Sequence, residues 1–149
     1  MIRVVLVDDE PPACRKLRHL LANEPDFSVV GEAVSGAEAV ETINRLQPQL
    51  VFLDIQLPDC SGFDVVESLE NRQVQIVFVT AYDDFALRAF EVHALDYLLK
   101  PVDPEELVRA VHRLSIKKSD ETKNKQFELL EQKIGNKEFG KKQPSRKRT

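Results

Sequence analysis

Apolar positions along this chain alternate between two periods. Short, nearly continuous apolar runs occur at Ile2 to Val7, Phe27 to Val34, Leu50 to Leu53, Val74 to Val79 and Ala94 to Leu99, and they predict five strands. Leu50-Val51-Phe52-Leu53 has no polar break at all, as expected of a strand buried on both faces. Between the runs the spacing changes to that of a helix with one apolar stripe: Cys14, Leu17, Leu20 and Leu21; Ala39, Val40, Ile43 and Leu46; Phe63, Val66 and Leu69; a segment from Asp84 to Val92; and Leu107, Val108, Val111 and Leu114. Helix boundaries are written in the same sequence. Pro11 and Pro12 suit a first turn, Asn23-Glu24-Pro25 closes that helix, Ser35 with Glu38 predicts a capping box, and Asp103-Pro104 caps the last helix.

Strand and helix alternate five times within about 115 residues. Parallel neighbours need crossovers of a dozen or more residues, so the expected fold is α/β: a doubly wound, five-stranded parallel sheet with helices on both faces. No run reaches the ~18 apolar residues that a membrane span requires. The acidic residues behind the first strand argue against a secretory signal. Cys14 and Cys60 stand in unrelated surroundings without metal-ligand spacing, so free thiols and a cytoplasmic location are expected. The net charge of −4 hides an asymmetry: residues 117–149 hold 11 basic and 5 acidic side chains, leaving 10 basic and 20 acidic before them. That shift predicts a boundary near residue 116, with a domain over 1–116 and a linker or tail over 117–149.

In an open parallel sheet, ligands bind beyond the carboxyl ends of the strands. Those ends carry Asp8-Asp9, Asp54, Thr80 and Lys100, while the second strand, ending in Val34-Ser35, offers nothing. If the strand order is 2-1-3-4-5, the first and third strands are neighbours and three carboxylates crowd one pocket, which should recruit a hard cation such as Mg²⁺. Asp8 and Asp9 alone would be equally consistent with caps of the first helix. A carboxylate beside a divalent ion can attack phosphorus, and the ion, a hydroxyl and an ammonium would offset the charge of the transferred group.

Four segments complete the pattern: Val7-Asp8-Asp9-Glu10, Leu53-Asp54-Ile55-Gln56-Leu57-Pro58 with Gly62, Val79-Thr80-Ala81, and Tyr97-Leu98-Leu99-Lys100-Pro101. Together, from Arg3 to about Leu114, they resemble the receiver domain of bacterial two-component response regulators, whose fold is flavodoxin-like (CheY-like). The resemblance implies that Asp54 accepts a phosphoryl group from a sensor histidine kinase. It also implies that Asp9, Asp54 and the Gln56 backbone carbonyl hold Mg²⁺, with Asp8 acting partly through water. Thr80 and Lys100 would contact the phosphoryl oxygens, and Thr80 with Tyr97 would form the switch. Thr80 to Phe90 resembles, more narrowly, receivers of the LytR/AlgR (LytTR-output) type, which act on DNA through an output domain outside this chain. A phosphorylation-linked homodimer is the assembly the resemblance implies.

Two other functions are open to such residues. A Mg²⁺-dependent aspartyl-phosphate phosphotransferase or phosphatase would want a general acid two residues past Asp54, where Gln56 stands. A binding-only pseudo-receiver would not need all five side chains. His19, His93 and His112 are expected at solvated positions. In the tail, Phe127, Leu130 and Ile134 share a helical face from near Asp120, Gly135, Gly140 and Pro144 would break it, and Lys141-Lys142 with Arg146-Lys147-Arg148 form a basic end, read as linker rather than nucleic-acid contact.

Overall fold

The computed structural model describes residues 1–117, with side chains to Leu114. The tail helix and basic end expected after Asp120 lie outside those residues. Elements run in the order β1 (Ile2–Val7), α1 (Pro11–Leu21), β2 (Phe27–Ala33), α2 (Gly36–Leu46), β3 (Leu50–Leu53), α3 (Gly62–Ser68), β4 (Gln75–Thr80), α4 (Ala86–Glu91), β5 (Asp96–Leu99) and α5 (Pro104–Lys117). The strands form one parallel sheet, as the alternation predicts, in the order β2-β1-β3-β4-β5 of the flavodoxin-like fold that the family resemblance implies.

Met1–Thr80 forms one compact unit. Its centre is the pair β1 and β3, whose facing residues from Val4 opposite Leu50 to Val7 opposite Leu53 are all buried. β3 runs in register with β4 from Leu50 opposite Gln75 to Leu53 opposite Phe78. β2 carries a bulge, since Val4 pairs Val29 but Val5 pairs Gly31. β2 ends at Ala33 rather than Val34 because the Val34 N–H is taken out of the ladder by the Glu38 carboxylate at 2.7 Å. That bond also alters the expected capping box: Ser35 accepts from Glu38 N at 3.2 Å, but the return bond goes to Val34. The reciprocal box occurs instead at α3, between Ser61 and Asp64. On α3, Val65 is buried and Val66 only half-buried. The helix stops at Ser68, and Leu69 buries itself from extended backbone, so it does not continue the helical phase.

The second unit begins at Ala81. Here α4 is shorter than the sequence predicts, because Phe85 and Val92 leave helical geometry at its two ends. Ala94 cannot start β5, since its N–H closes α4 by bonding Ala89 O at 3.0 Å, with His93 in left-handed conformation (φ 63°) donating to Phe90 O at 2.9 Å. α5 buries Leu107, Ala110, Val111 and Leu114, and Asp103 accepts from Glu105 N at 2.9 Å at its start. Arg113 on α5 reaches Asp96, 1% exposed on β5, at 2.8 Å. The other oxygen of that carboxylate accepts from Tyr97 N at 2.7 Å. His19, His93 and His112 are exposed. Among the described residues no helix is long and apolar enough to cross a membrane.

Candidate functional site

Register brings the acids together. Val7 and Leu53 are the last paired residues of adjacent strands, so the residues that follow them, Asp8 and Asp54, leave the sheet side by side. Asp54 N extends the ladder by one bond, to Val7 O at 3.0 Å. One carboxylate oxygen from each of Asp8, Asp9 and Asp54 lies within 4.8 Å of the others. Asp8 and Asp54 are buried, whereas Asp9 is exposed. Asp8 accepts from Glu10 N at 2.9 Å, which folds the turn ahead of α1, but no side chain caps that helix, so the capping role open to Asp8 and Asp9 in the sequence is not what holds them here. Asp54 accepts from Gln56 N at 3.3 Å.

Three hard oxygen donors, two of them removed from water, fit a small divalent cation that keeps part of its hydration. Without one, their charges repel at short range.

Thr80 is fully buried at the end of β4, two residues past Phe78, the partner of Leu53. Lys100 is half-buried, directly after β5, and its peptide bond to Pro101 is cis. Tyr97 is buried on β5. Its phenol donates to Tyr82 O and accepts from Phe85 N at 3.3 Å, which ties it to the start of α4.

The segment after Asp54 is held closely. A Cβ on Gly62 would lie 2.5 Å from the Asp54 carbonyl oxygen, so only glycine permits that approach. Sequence reasoning missed two features. One is Asp59, which accepts from Gly36 N at 2.7 Å and Ala37 N at 3.0 Å. These two N–H groups hold its carboxyl below the usual carboxylate range. Nothing in the sequence links it to α2. The other is the Asp96–Arg113 pair, for which an aspartate inside an apolar strand was the available signal. Next to Asp59, burial pushes the Cys60 thiol up, with the Asp59 and Asp64 charges adding to it.

The response regulator receiver domain family matches residues 4–112. The chain is 45% identical over 120 residues to the transcriptional regulatory protein BtsR of Salmonella typhi, covering 80% of this chain and 50% of that protein. It is 49% identical over 116 residues to an uncharacterised response regulatory protein of Yersinia pestis, covering 77% and 49%. The chain thus spans about half the length of the curated relatives it matches. Among solved structures, a LuxR-family response regulator from Aurantimonas aligns with a TM-score of 0.71 at 32% identity, over 76% of this chain and 84% of that one. The response regulatory domain of mrkE from Klebsiella pneumoniae aligns at 0.71 and 28% identity, over 76% and 95%.

Proposed function

This chain belongs to the response regulator receiver domain family, a family of signalling domains rather than classical enzymes, and from that premise we propose that Asp54 is its phosphoacceptor. The observation that carries the reading is the convergence of Asp8, Asp9 and Asp54 within 4.8 Å at the rim of the sheet. An Asp54 oxygen attacks phosphorus of a phosphohistidine on a sensor kinase. The new O–P bond makes an acyl phosphate, the P–N bond breaks, and its electron pair leaves with the imidazole.

Mg²⁺, when bound, supplies positive charge against the phosphoryl oxygens. Asp9, Asp54 and the Gln56 carbonyl would hold it, with Asp8 contributing partly through water. Thr80 donates a hydroxyl hydrogen bond to a phosphoryl oxygen, and Lys100 contributes an ammonium. Reorientation of Thr80 and Tyr97 then carries the signal, and release of the phenol from Tyr82 and Phe85 would free the start of α4. Residues 1–116 act as the receiver, with 117–149 a linker toward a LytR/AlgR-type DNA-binding output, in a cytoplasmic, phosphorylation-linked homodimer. Supporting that output are relatives named transcriptional regulatory proteins, which are about twice as long as the matched region.

The test is incubation with acetyl phosphate and Mg²⁺ followed by intact mass measurement. One added phosphoryl group, lost in Asp54→Ala and without Mg²⁺, is the expected result. No adduct, or an adduct that survives Asp54→Ala, overturns the assignment.

A further inference from the structure

The connection between β3 and α3 is a small hairpin fastened at both ends. Gly62 N donates to Ile55 O at 2.7 Å, Gln56 and Ser61 form an antiparallel bridge, and Leu57 N donates to Cys60 O at 3.1 Å. Pro58 and Asp59 are left as the two residues of the turn, with proline at the position where its fixed φ is favoured. The root is set by the sheet, through Asp54 N on Val7 O and the tight seat of Gly62 against the Asp54 carbonyl.

The tip is set by α2. Asp59 divides its carboxylate between the N–H groups of Gly36 and Ala37, the first two residues of that helix. Those donors have no partner within the helix, and negative charge is favoured beside them. The seat is close: a Cβ on Gly36 would lie 2.1 Å from Cys60 Sγ. Gln56 stands on the arm between the two fixed ends, its N–H directed at Asp54.

We infer that Asp59 is a positioning residue for the metal site: by locking the hairpin tip onto α2 it fixes where the Gln56 carbonyl stands relative to Asp54. The inference rests on the reading of Asp54 and Gln56 as Mg²⁺ ligands. Asp59 itself is not among the assigned ligands; its carboxylate is engaged by the Gly36 and Ala37 N–H groups. A simple capping role for Asp59 is separable from this one. Ser35 caps the same helix through Glu38 N, from within α2's own first turn rather than from the hairpin.

Isothermal titration with Mg²⁺ alone, paired with thermal melts, distinguishes them. Asp59→Ala should weaken Mg²⁺ binding about tenfold, the low end of what loss of a supporting contact costs a metal site. Asp59→Asn keeps an acceptor oxygen and should lose less. Ser35→Ala should lower the melting temperature while leaving Mg²⁺ affinity as it was. Gly36→Ala, whose Cβ would press on Cys60 Sγ and on the Asp59 carboxylate, should also weaken binding. Wild-type affinity in both Asp59 variants overturns the inference while leaving the metal assignment standing. Equal weakening in Ser35→Ala overturns it too, since helix stability would then explain the effect. A wild-type chain that binds no Mg²⁺ removes both readings together.

Discussion

Asp54→Asn should make this protein more stable in the absence of divalent ions while removing the proposed phosphoacceptor. The substitution keeps shape and an acceptor oxygen for Gln56 N, but deletes one of three negative charges. Two unit charges 4.8 Å apart interact by roughly 3.5 kcal/mol at an effective dielectric of about 20. That value suits the pair of Asp54 with Asp8, both nearly excluded from water. Asp9 is exposed, and its repulsion of Asp54 in a water-like dielectric is about 1 kcal/mol. Relaxation of the side chains reduces both, so a net gain of about 1–3 kcal/mol is expected, or several degrees in melting temperature. Thermal melts in EDTA at low salt measure it. The gap should narrow when salt is added, and again when Mg²⁺ is added, because the ion stabilises the wild type more. A variant that melts at or below the wild-type temperature in EDTA would show that the three carboxylates do not repel one another as their spacing requires.

Other positions give equally direct tests. Gly62→Ala forces a methyl group to within 2.5 Å of the Asp54 carbonyl; it should cost about 1–3 kcal/mol and depress phosphorylation by acetyl phosphate, and a wild-type urea midpoint would contradict this. Arg113→Ala leaves the buried Asp96 carboxylate without its guanidinium and should cost about 3–5 kcal/mol by urea denaturation, with much of the loss recovered in Asp96→Asn/Arg113→Met. His93→Gly relieves a left-handed residue at the end of α4 and should add about 0.5–1 kcal/mol to stability; a drop would mean the imidazole makes a compensating contact.

Strand existence and the three acids were legible in the sequence because buried parallel strands announce themselves as unbroken apolar runs, and because ligands of an open parallel sheet bind beyond where those runs stop; apolar runs carry no strand order, which came from the family resemblance. Boundaries were less legible, for reasons the hydrogen bonds supply. Val34 and Ala94 look like strand residues, but each gives its N–H to a neighbouring helix, through the Glu38 carboxylate and the Ala89 carbonyl. The Ser35 capping signal was half right, since the acid turned one residue further back. Asp59 was invisible for a different reason: its partners lie 22 and 23 residues upstream, and no local spacing encodes a bond made through tertiary packing.

The register of β1 against β3 limits how this molecule can vary. Successive side chains of a strand point to opposite faces, so removing a single residue from Leu50–Leu53 would turn Asp54 toward the wrong side and scatter the acids without touching one of them. Lengthening a surface connection elsewhere would leave the rim as it is. Variation among such chains should therefore accumulate in their loops, while the length of this one short strand tolerates no change at all.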